Sequence, residues 1–186
     1  MDAGISPVAG RRVTGRQSAL DMVRSLAVIL AIVAVIVFLI PRPNGVTPSA
    51  VDVTGAATAA RSELGFSPAV PQGLPVGWKA TSVGLRDGTD GALTWHVGYL
   101  TPQGRYASIE QAAGASHQWE VVLDSGGTDR DPQTIDGLKW DQRYKDVRDV
   151  TALIHRAEGR TTMVTSKGGG LTDATLLARS LPASTL

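Results

Sequence analysis

An unbroken apolar run at residues 26–40 constrains this chain more than any other feature. The run, LAVILAIVAVIVFLI, ends against a Pro-Arg-Pro triplet. Extended back to residue 22 it holds 19 residues, or about 28 Å of α-helix at ~1.5 Å per residue. Arg24, inside this stretch, can extend its guanidinium toward lipid headgroups. Because the hydrocarbon core of a bilayer is ~30 Å thick, the sequence predicts a transmembrane helix over residues 22–40.

The arginines beside this run predict its orientation. Only Arg42 follows the run within about 20 residues, whereas four arginines precede its apolar core: Arg11, Arg12, Arg16 and Arg24. An excess of Lys and Arg stays on the cytoplasmic side of a membrane. We therefore expect a single-pass protein of the cell membrane with a cytoplasmic amino terminus and an extracytoplasmic carboxyl-terminal domain.

A cleaved signal peptide is the alternative interpretation of the same run. Its uninterrupted core is at the upper limit of a signal-peptide apolar region, ~15 residues. A long amino-terminal region and the prolines that follow the run favour an uncleaved anchor instead. A buried core helix is a third interpretation, but runs this apolar are unusual inside a small soluble domain.

Composition limits what the rest of the chain can do. The 18 basic and 17 acidic residues are interspersed and give a formal net charge of +1, so there is no basic stripe of the kind that binds a phosphate backbone. We expect no nucleic-acid partner. The absence of cysteine excludes disulfides, thiolate nucleophiles and thiolate zinc sites.

Breaks in composition divide the chain into four segments. We expect a cytoplasmic tail at residues 1–21, the transmembrane helix at 22–40, a spacer rich in Pro and Ala at 41–65 and an extracytoplasmic α+β domain at 66–186. Within the spacer, the alanine-rich stretch 54–64 can form a short helix. About 120 residues remain for the domain, which is a common size for a single folded unit.

Hydrophobic alternation predicts an antiparallel sheet in that domain. Leu93, Trp95, Val97 and Tyr99 alternate with small or polar residues, as in a half-buried strand. Turn dipeptides separate this strand from its neighbours. The other predicted strands cover residues 78–85, 106–111, 138–144, 150–156 and 161–166, with a loop at 126–132.

Two helices are predicted to complete the fold. Ser116 can cap a helix that ends at Leu123, and Thr172 can cap another that ends at Ser180. We expect an antiparallel β-sheet with one or two helices packed on one face, the face that holds Trp95. Thr94 lies on the alternate face and should therefore matter far less for stability.

No candidate site matches a known chemical motif. The three histidines, His96, His117 and His155, lack zinc-ligand spacing, and Ser116 beside His117 is not a catalytic arrangement. Asp129, Asp131 and Asp136 fail the EF-hand pattern, and in Lys167–Gly170 the lysine precedes the glycines rather than following them as in a phosphate loop. We assign no catalytic, cofactor-binding or metal-binding residue and expect no cofactor.

Two segments carry a family resemblance. They are Leu74–Trp78 and Trp95–Pro102, followed by Tyr106 and by Glu110 with Gln111. With these features the chain resembles an actinobacterial family of single-pass membrane-anchored proteins catalogued only as a domain of unknown function. The resemblance implies an envelope protein with an extracytoplasmic α+β domain, and it implies no catalytic residue.

The sequence thus favours a non-enzymatic, membrane-anchored envelope protein with an extracytoplasmic binding or interaction domain. The first alternative is a carrier of a small or lipidic ligand in a cavity between sheet and helices, and the second is an enzyme of unknown type. The expected partners are the lipid bilayer, through residues 22–40, and either an envelope protein or a small-molecule or lipid ligand.

Overall fold

The computed structural model describes residues 15–39 and 51–186, and within the first range it describes the side chains of residues 22–36. The chain divides into two compact units, Met1–Thr47 and Pro48–Leu186. Helix α1, Gly15–Leu39, is the described part of the first unit, and its described side chains are exposed. Over the described residues, no helix has both the length and the apolar character needed to cross a membrane. Most of the expected cytoplasmic tail, and the first part of the spacer, lie outside the described residues.

The second unit is built on a seven-stranded antiparallel sheet with the order β1-β2-β3-β7-β6-β5-β4. The predicted α+β class and antiparallel sheet are therefore confirmed. Two meanders, β1–β3 and β4–β7, meet where β3 pairs with β7. The strands are β1 Lys79–Asp87, β2 Leu93–Leu100, β3 Tyr106–Ala113, β4 Thr128–Ile135, β5 Leu138–Lys145, β6 Val150–Ala157 and β7 Arg160–Lys167.

One face of the sheet carries the larger apolar core. Helices α2, Val53–Leu64, and α4, Gly170–Arg179, pack on this face. The side chains of Trp95, Ile109 and Leu153 are fully buried beneath them. Burying a large apolar side chain contributes about 1.5–3 kcal/mol each, so this layer is the main stabilising element of the domain.

Helix α2 belongs to the folded domain, although the sequence placed its residues in the spacer. Asp52 caps it by accepting a hydrogen bond from the Gly55 amide at 2.9 Å. Ala57 and Ala60 are buried against the sheet. Small side chains allow close approach of helix and sheet, and this packing is not visible as a strong periodic pattern in the sequence.

Helix α3, His117–Leu123, lies on the opposite face of the sheet. Ser116 caps it as predicted, by accepting from the Trp119 amide at 3.2 Å. Trp119 packs on Ala112, Ala152, Ile154 and Met163. The expectation that this helix covers the Trp95 face is wrong, because both faces of the sheet are partly apolar and both need cover.

The predicted loop at residues 126–132 is also wrong, since most of it forms the edge strand β4. An edge strand pairs on one side only and needs no alternating apolar residues. The register shifts between Arg130 and Gln133, and Pro132 lies in this irregularity. Proline is tolerated at such a place because it has no amide proton to donate.

Candidate functional site

Helix α3 covers only part of its face of the sheet and leaves a groove of about 280 Å³ beside its carboxyl end. We call this space the basic groove. Its floor is formed by four polar side chains, His96, Glu110, Ser108 and Thr165, and its rim carries three cations, Arg86, Arg148 and Lys167.

Strand register brings the floor residues together. His96 on β2 lies directly opposite Glu110 on β3, and Ser108 on β3 lies directly opposite Thr165 on β7. Residues two apart on one strand point to the same face, so these two pairs are adjacent rows of one surface. The Oγ atoms of Ser108 and Thr165 are 2.8 Å apart and hydrogen-bonded.

A hydrogen-bonded chain crosses three strands beneath the groove. Ser82 Oγ lies 2.9 Å from His96 Nε2, and His96 Nδ1 lies 2.5 Å from Glu110 Oε1. His96 and Glu110 are 1% and 5% exposed. A buried carboxyl group is costly without hydrogen-bond partners, so these bonds satisfy the side chain of Glu110 in the interior.

The order serine, histidine, carboxylate is also that of a hydrolytic triad. Ser82, however, does not line the groove. A Cβ atom built on Gly98 would lie 2.5 Å from both Ser82 Oγ and the Tyr106 hydroxyl, which shows that these two oxygens crowd the same spot. The hydrogen bonds among Ser82, His96 and Glu110 therefore hold the floor side chains in place, and they do not present a nucleophile to the groove.

The rim of the groove is positively charged. Arg86 lies on β1, Lys167 ends β7, and Arg148 belongs to the short 3₁₀ helix Asp146–Arg148. Within the part of the chain that the structure describes, none of these three cations has an acidic partner within 4.0 Å. The groove thus has an excess of positive charge.

Tyr106 forms part of the groove wall. Burial, with a smaller contribution from the charge of Glu110, raises the pKa of its phenol above the ordinary value. The hydroxyl is therefore neutral at physiological pH and is available as a hydrogen-bond donor or acceptor.

A larger cleft, of about 370 Å³, lies on the other side of α3. Its positive and negative side chains are equal in number. Three arginines and three acidic residues line it, and many of them pair with one another. Arg156 binds both carboxylate oxygens of Glu120 at 2.7 Å and contacts Asp141 at 2.6 Å. Five of these six charged side chains pair within the part of the protein that the structure describes, Arg130 being the exception, which makes this cleft a weaker candidate for ligand binding than the basic groove.

A third space, of about 130 Å³, adjoins the basic groove. We call it the apolar pocket because Trp119, Val122 and Leu123 of α3 form its wall. The indole nitrogen of Trp119 donates to Thr94 Oγ1 at 2.8 Å. Thr94 is consequently buried and bonded on the face opposite Trp95. That Thr94→Ala costs less stability than Trp95→Ala stays a prediction.

The structure separates the three histidines that the sequence singled out. His96 lies in the groove floor, His117 is exposed at the mouth of the larger cleft, and His155 bonds the Lys139 carbonyl at 2.8 Å. Among the described residues, no three His, Asp or Glu side chains form a metal-binding group. Asp129 and Asp131 lie on the exposed edge strand β4.

Residues 15–181 match the model of a protein family described as "Protein of unknown function (DUF4245)". The chain belongs to the DUF4245 family. The match extends from α1 through α4 and includes the whole basic groove, and it confirms the resemblance to a domain of unknown function. No curated protein and no solved structure matches the chain.

The sequence singled out four groove residues of this DUF4245 protein without giving any of them a role: His96 and Lys167 were set aside as site candidates, and Tyr106 and Glu110 carried the family resemblance. Arg86 and Arg148 belong to no motif and were missed. The one available signal was a charged residue, Glu110, inside a predicted strand and directly after the apolar Ile109. Such a residue is expected to be either exposed or paired.

Proposed function

We propose that this DUF4245 protein is a non-enzymatic, single-pass protein of an actinobacterial cell envelope whose extracytoplasmic domain binds a small anionic ligand in the basic groove. The observation that carries the proposal is the presence of three cations without acidic partners around a groove whose floor is already hydrogen-bonded. Exposed cations that converge on one concave surface attract anions.

The size of the groove supports a small ligand. Ligand sites in proteins usually enclose ~300–1,000 Å³, and about 280 Å³ is close to the lower limit. Arginine can bind a carboxylate or phosphate through two parallel hydrogen bonds, while lysine contributes a point charge. Two arginines and one lysine therefore suit a carboxylate or phosphate group.

Support for a membrane anchor comes from the sequence. The segment at residues 22–40, about 28 Å long as an α-helix, nearly matches the ~30 Å hydrocarbon core of a bilayer, and arginines lie mainly before its apolar run. Helix α1 includes residues 26–39 of the run. These features favour an anchored protein with the groove-bearing domain outside the cytoplasm.

The alternative of a ligand carrier shares the same site, since the groove lies between the sheet and α3. A carrier would differ from the binding protein proposed above by releasing the ligand to a second protein. Against an enzyme stands the position of Ser82, which is bonded to His96 but does not line the groove.

Calorimetric titration of the purified full chain in a neutral maltoside detergent tests anion binding. The probes are inorganic phosphate and citrate. We expect binding by the natural chain and its loss, by tenfold or more, in the triple variant Arg86→Gln, Arg148→Gln, Lys167→Gln.

A charge-matched control distinguishes the groove from general electrostatic attraction. The variant Arg61→Gln, Lys139→Gln, Arg179→Gln removes the same three charges from exposed positions outside the groove. It should bind both anions as the natural chain does. Equal loss in the two triple variants, or unchanged binding in the groove variant, contradicts the proposal.

A further inference from the structure

The basic groove and the apolar pocket are adjacent parts of one surface. Arg86, Glu110 and Leu123 line both spaces. A ligand held by Arg86 can therefore extend into either one without leaving the contact surface of the protein.

The two spaces differ in chemistry. Arg148 and Lys167 belong to the groove alone, whereas the pocket has one apolar wall, made of α3 side chains. Its other lining residues are Arg86, Asp87, Gly88, Thr89, Thr94 and Glu110, so the acidic Asp87 lies on the pocket side and not in the groove that holds the anionic group. Trp119 already uses its indole nitrogen in the bond to Thr94. The indole therefore offers the pocket only carbon surface, and Val122, 48% exposed, adds an apolar side chain that has incomplete cover within the domain.

The size of the pocket limits what can enter it. An apolar cavity of about 150 Å³ in another protein holds one benzene molecule. The apolar pocket, at about 130 Å³, has room for roughly one ring or one short branched alkyl group. A long acyl chain does not fit.

We propose that the ligand of this domain is an anion that carries one ring-sized apolar group, with the anionic group in the basic groove and the apolar group in the apolar pocket. The inference rests on the proposed anion-binding function and narrows it to a class of ligand. Arg86 lies at the junction, where it contacts the anion, and Val122 contacts the apolar group.

The test compares phosphate monoesters by calorimetric titration of the full chain in maltoside detergent. Phenyl phosphate should bind about tenfold more tightly than methyl phosphate, equivalent to about 1.4 kcal/mol. The neutral analogue benzyl alcohol should show no measurable binding at the same concentrations, because it lacks the group that the cations hold.

Val122→Ser should remove most of the advantage of phenyl phosphate and leave methyl phosphate binding unchanged, which also shows that the variant is folded. Leu176→Ser is the matched control, since Leu176 is 38% exposed on α4, which packs on the other face of the sheet. This control should keep the tenfold advantage.

The outcomes separate this inference from the proposed function. Equal binding of phenyl and methyl phosphate, with both lost in the triple groove variant, overturns the inference and leaves anion binding in place. Absence of binding by any anion overturns the proposed function and this inference with it. Tighter binding of dodecyl phosphate than of phenyl phosphate indicates a lipid ligand and overturns the ring-sized limit.

Discussion

The imidazole of His96 and the carboxylate of Glu110 face each other across β2 and β3, with Nδ1 and Oε1 2.5 Å apart. Both side chains are buried, and Ser82 occupies the other ring nitrogen. This pair places two polar side chains beneath the basic groove without leaving either of them unbonded. Each of the two side chains can therefore be buried because the other one supplies its hydrogen-bond partner.

Removing His96 alone should be strongly destabilising. His96→Leu leaves the Glu110 carboxylate buried without its partner, which costs about 3–5 kcal/mol of unfolding free energy. The double variant His96→Leu, Glu110→Leu should be more stable than the single one, because no buried charge remains. Urea unfolding measures both. The control His117→Leu changes an exposed histidine, and equal effects of His96→Leu and His117→Leu would contradict the prediction.

Substitutions at two adjacent positions of β2 test both faces of the sheet. Trp95→Ala empties a fully buried aromatic site and should cost about 3–5 kcal/mol. Thr94→Ala removes the acceptor for the Trp119 indole and should cost about 1–3 kcal/mol. Thr94→Ser keeps the hydroxyl and should cost less than Thr94→Ala in urea melts. No difference between these two would show that the bond to Trp119 contributes nothing.

Truncation tests the role of α2. A chain of residues 48–186 keeps the helix, and we expect it to be soluble and to unfold cooperatively. A chain of residues 66–186 lacks the buried side chains of Ala57 and Ala60 and exposes the apolar surface of β1 and β2. It should aggregate or unfold at a clearly lower urea concentration, as measured by size-exclusion chromatography and circular dichroism. Equal stability of the two chains would mean that α2 is dispensable.

The hydrogen bonds that Asp90 accepts should contribute to stability at neutral pH and be lost in acid. Hydrogen bonds from Ser116, and a further one from the Ala92 amide, lower the pKa of Asp90 from 3.8 to about 2. Because the folded-state pKa is lower than the unfolded one, the contribution is present above about pH 4 and is lost as the pH falls toward 2. Urea melts at pH 4, 3 and 2 should show a smaller decline for Asp90→Asn than for the natural chain.

Asp131→Asn is the control for this titration, since Asp131 lies on the exposed edge strand. Its stability should follow that of the natural chain across the same pH range. A decline in Asp90→Asn as steep as in the natural chain would show that the contacts of Asp90 do not depend on its charge.

The proposed orientation predicts the behaviour of fusion proteins. A reporter that is active only outside the cytoplasm should work when it is fused after Leu186 and fail when it is fused before Met1. The protein should also stay in the membrane fraction during alkaline carbonate washing. The opposite reporter pattern would reverse the orientation, and recovery of a shortened chain that begins near Ala50 would indicate a cleaved signal peptide.

Several strands and helices could be predicted from the sequence because the interactions that form them join residues close together in the chain. Alternation from Leu93 to Tyr99 predicted β2, and Ser116 predicted the start of α3 through a cap that spans only three residues. Strand β4 could not be read in this way. Its stability comes from pairing with β5, and its polar sequence carries no sign of that pairing.

The basic groove is decided by tertiary structure for the same reason. Arg86 and Lys167 come from strands at opposite ends of the domain sequence, and the order β1-β2-β3-β7 brings them to one surface. The sequence by itself determined the alternation of β2, the Ser116 cap of α3 and the apolar run at residues 26–40, all of which depend on neighbours within a few residues. The predicted Thr172 cap is wrong, because α4 begins at Gly170 and has no side-chain cap. The pairing of β3 with β7 and the face on which α3 packs were decided only by the tertiary structure, because those contacts join residues that are far apart in the chain. They set which charged side chains surround the basic groove.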